Sequence, residues 1–161
     1  MSKLSYHYFL QSLYRGNRPN RFAKFLNKTA VHIYNLGVAP NYLVTLEVLG
    51  RKSGKTVALP VVMVVQDDER YLVSMLGNKA QWVLNMTADD RRAVIRHGKR
   101  EAIRLEDVPV EQRPPLIKKY LGRAPGARPH IPIDKDAPLA EFEKIAADYP
   151  VFRVVVDAER S

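Results

Sequence analysis

The sequence predicts an α+β fold in which about six short, mostly antiparallel strands form a small barrel or half-barrel, with helices between them. Three observations support this fold class. Apolar and polar residues alternate in short segments that end at Gly, Pro, Asn or Asp. Other segments place their apolar residues at helical spacing. The chain has 161 residues, 46% apolar and 27% charged, which suits one globular domain.

The first predicted element is a helix over residues 21–36. Gly37 and Pro40 follow it, as a C-terminal glycine and proline typically do. A basic amphipathic helix of this kind can lie on a membrane surface, but more often it packs its apolar face against its own domain. We expect such packing and keep peripheral membrane contact through residues 1–40 as the alternative. The apolar positions are Phe22, Phe25, Leu26, Thr29, Ala30, Ile33 and Tyr34.

The middle of the chain is rich in predicted strands. Alternation predicts strands over residues 42–49 and 57–66, joined by a glycine-bounded turn at residues 50–55. Pro60 marks an edge or a bulge in the second strand, because proline cannot donate a hydrogen bond to a sheet ladder. A third strand is expected over residues 71–75.

Later segments complete the expected domain. Residues 77–78 break the third strand, and a short helix around Trp82 follows over residues 79–88. The remaining elements are a hairpin over 91–96 and 99–105, a helix over 114–122, a stiff proline-rich loop over 124–138, a helix over 137–148 and a strand over 151–157. One domain over 1–161 is expected, with a helical segment (1–40), a barrel core (41–105), and helices with a final strand (106–161).

Composition excludes several classes of site. Without cysteine the chain has no disulfide framework, thiolate metal site or cysteine nucleophile, which fits a reducing compartment. Its 4 histidines lack metal-ligand spacing, so we predict no metal. No signal-peptide pattern or bilayer-length apolar run is visible, and we expect a cytoplasmic protein.

The net charge of +9 predicts an anionic partner. The excess is uneven: residues 1–40 carry +6 and residues 91–104 carry +5, while residues 67–90 and 136–161 carry −3 each. No nucleic-acid-binding motif accompanies the basic clusters, and the aromatic content of 9% is ordinary. We therefore predict a small polyanion or an anionic surface rather than a nucleic acid.

The 50–55 turn is the strongest candidate site. Its two glycines allow close approach to the backbone, whose N–H groups can bind an anion; Arg51, Lys52 and Lys55 add three cations and Ser53 a hydroxyl. The spacing is one residue shorter than in a nucleotide-binding P-loop, and no helix follows. Because no nucleophile or acid–base arrangement is present, an enzyme of this sequence would take its reactivity from a cofactor.

Residues 49–55, with Pro60 after them, resemble the signature of the deazaflavin-dependent nitroreductase family, whose members commonly bind coenzyme F420. A strand end in this chain, followed by a glycine, a tryptophan and an asparagine, resembles the second motif of that family. The resemblance covers roughly residues 40–105, with the two motifs in the right order and spacing. The second motif lies at Ser74, Gly77, Trp82 and Asn85.

This resemblance implies a split β-barrel related to flavin-binding proteins of the pyridoxamine-phosphate-oxidase type. It implies an oxidoreductase that transfers hydride from reduced F420 to a quinone, nitro or unsaturated small-molecule substrate. The residues implied to hold the phosphate and oligoglutamate tail of the cofactor are Arg51, Lys52, Ser53, Gly54 and Lys55, and those implied to border its ring groove are Leu59, Pro60, Val61, Gly77, Asn78, Trp82 and Asn85.

Alternatives stay open. Val57 stands where the family often has an arginine, and Val83 where a tyrosine follows the tryptophan. An FMN-binding oxidoreductase of the same fold is one alternative, although FMN, with one phosphate, would not need all three cations. A non-catalytic lipid- or cofactor-binding protein is another. Trp82 is expected either to anchor the short helix in the core or to line the cofactor groove. Such barrels often form homodimers. No catalytic residue is predicted; the candidates on the substrate side are Tyr6, Tyr8, Tyr120, His130 and Phe142.

Overall fold

A closed barrel of six antiparallel strands lies at the centre of the protein in a computed structural model that describes residues 14–15, 18–19 and 21–160. The order around the barrel is third, fourth, fifth, eighth, seventh and sixth strand, and the sixth pairs back with the third. The first two strands pair with each other outside the barrel. The strands are β1 (Tyr14–Arg15), β2 (Arg18–Pro19), β3 (Leu43–Leu49), β4 (Thr56–Gln66), β5 (Glu69–Val73), β6 (Arg92–His97), β7 (Lys99–Asp107) and β8 (Val151–Val156).

Helices flank the barrel, so the predicted α+β fold with a small barrel is confirmed. Most predicted bounds agree with the structure to within two residues. The helix predicted over residues 137–148 is shorter, however, because only its first turn is helical and turns follow it. The helices are α1 (Arg21–Asn35), α2 (Gln81–Ala88), α3 (Arg113–Arg123) and α4 (Leu139–Glu143), with short 3-10 segments at Gly77–Lys79, Val110–Gln112 and Pro125–Ala127.

The apolar side chains form two cores, one on each side of the same sheet. The first fills the barrel, where Leu46 from β3 and Phe152 from β8 are almost fully buried. The second lies between the outer surface of β4 and β5 and the layer of α3 and α4, with Ile117 and Phe142 at its centre. Full burial of such a side chain stabilises the fold by about 1.5–3 kcal/mol. The shared sheet is therefore buried on both faces.

Strand β3 is buried on both faces along its middle, because its outward-facing residues Thr45 and Glu47 are covered as well. The side chain of Thr45 lies under α1, where its hydroxyl donates a hydrogen bond to the Val31 carbonyl at 3.5 Å. The Glu47 carboxylate is also buried and accepts a hydrogen bond from Arg100 at 2.5 Å. Alternation correctly predicted the inward row of this strand, but not the helix and the ion pair that cover the outward row.

Helix α1 packs against β3 and β4, as expected, but only in part. The half-buried residues of the helix include Ala30, Val31 and Tyr34. Three residues of the predicted apolar face are instead exposed to solvent: Thr29, Leu26 by 42% and Ile33 by 45%. Among the described residues, no helix combines the length and the hydropathy needed to cross a bilayer.

An ion pair between Arg70 and Glu101 lies at the end of the barrel where a turn joins β4 to β5. Arg70 lies two positions before the buried Leu72 on β5, and Glu101 lies two positions before the buried Ile103 on β7. Residues two positions apart share a strand face, so Arg70 and Glu101 lie on the faces that line the inside of the barrel. The Arg70 guanidinium donates two hydrogen bonds to the carboxylate, at 2.6 and 2.9 Å. The pair thus ties β5 to β7 across β8, which lies between them.

The ion pair predicts how stability changes with pH. Hydrogen bonding from Arg70 lowers the pKa of Glu101 below its ordinary value in the folded protein. Its stabilising contribution is therefore complete above the unfolded pKa of about 4.3 and is lost as the pH falls through the lower, folded pKa. Between about pH 7 and pH 3 the free energy of unfolding should fall more in the wild type than in Glu101→Gln, by about 0.5–1 kcal/mol, because both side chains are partly exposed.

Urea denaturation at the two pH values measures this difference. A matched control is Glu106→Gln, which removes the nearer of the two carboxylates that pair with the more exposed Arg153. This control should change the pH dependence less than Glu101→Gln does. An equal loss of stability in the wild type and Glu101→Gln would contradict the assigned role.

Candidate functional site

The 50–55 turn, which joins β3 to β4, has a closely defined backbone. The Gly50 N–H donates to the Lys55 carbonyl, and the Gly54 N–H donates back to the Gly50 carbonyl, both at 2.8 Å. A Cβ on Gly50 would lie 2.6 Å from the Ser53 hydroxyl oxygen and 3.0 Å from the Lys55 carbonyl oxygen, and Gly54 has a φ of +64°, so both positions favour glycine. This backbone presents Lys52 and Lys55 to solvent.

Arg51 points from the turn to α2. Its Nη1 donates to Asn85 Oδ1 at 2.7 Å, and its backbone N–H donates to the same oxygen at 3.3 Å. Its Nη2 donates to Gln81 Oε1 at 3.3 Å. The structure thus brings together a residue implied to hold the cofactor tail, Arg51, and one implied to border the ring groove, Asn85. Gln81 was not predicted, although its position four residues before Asn85 places both on one helix face.

The first half of β4 is an open edge of the barrel. Its register with β3 is unbroken from Leu43↔Val62 to Leu49↔Thr56, and pairing with β5 starts only at Met63. The structure thus places Pro60 at an edge and not at a bulge. The Met63 N–H donates to the Tyr42 carbonyl at 2.7 Å, so the backbone groups of Met63 point toward β3. Because the backbone groups of successive strand residues point to opposite sides, those of Ala58 and Pro60 point away from β3, to the open side. Proline there removes no ladder hydrogen bond.

Partly exposed apolar side chains lie beside this edge and pack on the barrel core; we call them the apolar mouth. Two of them belong to the inward row of β4, one precedes α2, and the fourth is Trp82 on α2. The indole of Trp82 packs edge-on against Phe152 at 5.5 Å between ring centroids. Trp82 therefore anchors α2 and still keeps part of its surface accessible. Leu76 and Phe152 were not predicted as residues of this site. The apolar mouth consists of Leu59, Val61, Leu76 and Trp82.

The segment before α2 passes close to the backbone that precedes β8. Gly77 has a φ of +74°, and a Cβ there would lie 3.0 Å from the Asp148 carbonyl oxygen. The buried Ser74 hydroxyl donates to the Gly77 carbonyl at 2.8 Å, and the Ser74 N–H donates to the Pro150 carbonyl at 3.0 Å. These contacts give Gly77 a structural role in positioning α2, whereas Asn78 is exposed.

The candidates for the substrate side lie elsewhere. Tyr120 and Phe142 are buried in the second core, Phe142 completely. His130 is half-buried in the loop after α3, where burial lowers the pKa of its imidazole and favours the neutral form. Its carbonyl accepts a hydrogen bond from the Tyr149 hydroxyl at 2.9 Å. The other two candidates, Tyr6 and Tyr8, lie outside the described residues.

A cleft of about 260 Å³ opens on the outer side of β3 and β6. The cleft was not predicted, although the basic cluster at residues 91–104 contributes two of its arginines, Arg92 and Arg100. The charged residues lining the cleft are Glu47, Asp89, Arg92, Arg100 and Arg160.

In the part of the chain that the structure describes, no group of three or more histidine and acidic side chains lies close enough to hold a metal ion, at the cleft or elsewhere.

A family model described as F420H(2)-dependent quinone reductase matches residues 21–131 of the chain. This range includes the turn, the open edge, the apolar mouth and α2. No curated protein gives a significant match.

Solved structures resemble this chain at low sequence identity. The protein Atu2129 from Agrobacterium tumefaciens, of unknown function, aligns with a TM-score of 0.51 and 16% identity over 81% of this chain. The alignment spans 55% of that protein, about half its length. An F420-H2 dependent reductase, FDR-A, aligns with a TM-score of 0.44 and 22% identity, over 73% of this chain and 96% of its own. A putative pyridoxamine 5'-phosphate oxidase from Listeria innocua aligns with a TM-score of 0.49 and 8% identity, over 84% of this chain and 92% of its own.

The packing of Trp82 predicts its contribution to stability. Trp82→Ala removes the contact with Phe152 and part of the barrel core, so it should lower the free energy of unfolding by about 2–3 kcal/mol, below the usual range for a fully buried ring. Trp82→Phe retains a ring and should cost less than about 1.5 kcal/mol. Denaturant unfolding followed by circular dichroism measures both. A cost below about 0.5 kcal/mol for Trp82→Ala would show that the contact does not anchor α2.

Proposed function

The chain belongs to the F420H(2)-dependent quinone reductase family, and we propose that this F420-dependent reductase acts on a quinone. The observation that carries the proposal is the position of a cationic turn beside an open, apolar mouth in the family-matched region. Such a site suits a cofactor with an anionic tail and a flat ring, together with an apolar acceptor. Nitro and unsaturated compounds accept hydride by the same chemistry and are the comparison substrates.

The residues at the site fit coenzyme F420. Lys52 and Lys55 are exposed cations suited to the phosphate and the oligoglutamate tail. The apolar mouth suits the deazaflavin ring, and the outward-facing peptide groups of Ala58 and Pro60 can bind its polar edge. FMN also has a flat ring, but its single phosphate would meet fewer of the available cations.

The reduced cofactor, when bound, supplies the hydride, and a quinone that accepts it takes up a proton to become a hydroquinone. The chain contributes binding, orientation and a surface poor in water. The edge of β4 and the Trp82 wall would orient the ring between them. The lysines of the turn would hold the tail away from the ring, so that the mouth stays open to the acceptor.

The tail interaction predicts salt-sensitive binding, which the single tryptophan of the chain can report, because it lies in the mouth. F420 should quench Trp82 fluorescence with micromolar or better affinity and should bind about tenfold more weakly when salt is raised from about 0.05 to 0.5 M. The double variant Lys52→Ala/Lys55→Ala should bind about tenfold more weakly at low salt and lose most of this salt dependence. FMN should bind more weakly and depend less on salt.

The matched control is Lys99→Ala, which removes an exposed cation from the β6–β7 hairpin. This variant should bind F420 as the wild type does. Tighter binding of FMN than of F420 would support the FMN alternative. Binding of neither cofactor at micromolar concentration would contradict the proposal.

A quinone substrate gives the exposed face of α1 a role, because long-chain quinones dissolve in membranes. We propose peripheral contact of this face with an anionic membrane. Its apolar residues continue past the helix into Leu36, which is 73% exposed, and Val38, which is 75% exposed. The exposed cations Lys24 and Lys28 lie on the same helix. This combination of apolar and basic side chains is typical of interfacial helices.

Flotation of the full chain with vesicles that contain phosphatidylserine tests this contact. Leu26→Ser/Ile33→Ser should lower the bound fraction several-fold, because it removes two apolar side chains from the interface. The control is Val110→Ser/Leu139→Ser, which changes residues of similar exposure, 42% and 45%, elsewhere on the molecule. Equal flotation of the two double variants would contradict membrane contact through α1. Sedimentation of the same samples without vesicles tests the expected homodimer.

A further inference from the structure

We propose that Arg51 is a positioning residue that fastens the 50–55 turn to α2, and that Lys52 and Lys55 are the cations of the turn that bind the anionic tail. The resemblance to the deazaflavin-dependent family had placed all three cations on the tail. The structure gives them different surroundings. The first half of this inference concerns the free protein, and the second half rests on the proposed function.

The hydrogen bonds of Arg51 are directed to the protein itself. Its side chain donates to two amide oxygens on one face of α2, at 2.7 Å for Asn85 and 3.3 Å for Gln81, while its backbone N–H also points to Asn85. Asn85 is only 7% exposed, so its oxygen is shielded from water and its bond to a charged donor is strengthened. A planar guanidinium suits two acceptors at a fixed spacing, which an ammonium group cannot reach together.

All three cations of the turn are exposed, but Lys52 and Lys55 differ from Arg51 in their contacts. Within the described residues, neither lysine side chain has a hydrogen bond or ion pair, whereas that of Arg51 has two hydrogen bonds. A flexible ammonium group can follow a flexible polyanion of varying length, which a fork-shaped group held in place cannot do. The chemistry of a glutamate tail therefore favours the two lysines.

The contact between Arg51 and α2 has a consequence for the mouth. The half of β4 that follows the turn pairs only with β3, so the tip of this hairpin has no second strand to hold it. Helix α2 carries Trp82, which forms the facing wall. By joining the tip to α2, Arg51 sets the separation of the two walls and hence the shape of the space for a ring.

A double-mutant cycle on the free protein tests the positioning role without any cofactor. Thermal and urea unfolding are measured for Arg51→Ala, Asn85→Ala and the combined variant. We expect the combined variant to be no less stable than Asn85→Ala alone, because the two residues act through one contact. Asn85→Asp retains the acceptor oxygens and should keep a stability close to that of the wild type. Additive losses in the cycle would overturn the contact as a stabilising element.

Binding of F420, followed by Trp82 fluorescence, separates positioning from tail binding. Arg51→Lys keeps the charge but loses the fork, so it should bind about tenfold more weakly than the wild type, as Arg51→Ala should, with an unchanged salt dependence. Lys99→Arg is the control for exchanging the two cations away from the site, and it should bind within about twofold of the wild type. Wild-type affinity in Arg51→Lys, with weak binding in Arg51→Ala, would overturn the proposal and make Arg51 a tail contact.

The two measurements fail independently. If the wild type binds no F420 while the cycle shows coupling, the positioning role stands and the proposed function fails. If the wild type binds F420 but Arg51 and Asn85 are not coupled, the proposed function stands and the positioning role fails.

Discussion

The exchange of partners along β4 is the constraint on which the rest of the structure depends. This strand pairs with β3 over its first half and with β5 only from Met63 onward. A closed barrel with a uniform register would bury the inward row of β4 completely. Here Leu59 and Val61 remain partly exposed, and neighbouring peptide groups have no strand partner. The opening is thus part of how the barrel is built, and it leaves apolar side chains and peptide groups accessible beside the edge of β4.

Helix α2 has only eight residues, so its position depends on contacts at both its faces and not on its own stability. Trp82 attaches it to β8 through Phe152, on the side of the barrel core. Asn85 attaches it to the 50–55 turn through Arg51. The Gly77 segment, held by Ser74, sets where the helix begins. Three separate parts of the chain therefore define one wall of the mouth, which makes it a rigid surface for a ligand.

Sequence patterns predicted what depends on neighbours along the chain. Alternation located the strands, helical spacing located α1, and Pro60 indicated an edge because it lacks an N–H. Contacts between distant segments had no such signal. The bond between Arg51 and Asn85 joins residues 34 positions apart, and the burial of Glu47 depends on Arg100, 53 positions away. The burial of Phe142 likewise follows from the packing of α4 on α3, which periodicity alone does not specify.

Much of the positive charge in the cluster at residues 91–104 is compensated by ion pairs. The cluster at residues 91–104 lies next to acidic groups, and its arginines pair with them: Arg91 with Asp107, Arg104 with Asp90 at 3.1 Å, and Arg100 with Glu47. These pairs weaken the local field, because the field of two opposite charges in contact falls off faster with distance than that of a single charge, and at about 0.1 M salt the remainder is screened beyond about 10 Å. Lys52 and Lys55 have no such partners within the described chain. An incoming polyanion would therefore meet two unpaired cations at the turn, beside the mouth where we propose that its ring binds.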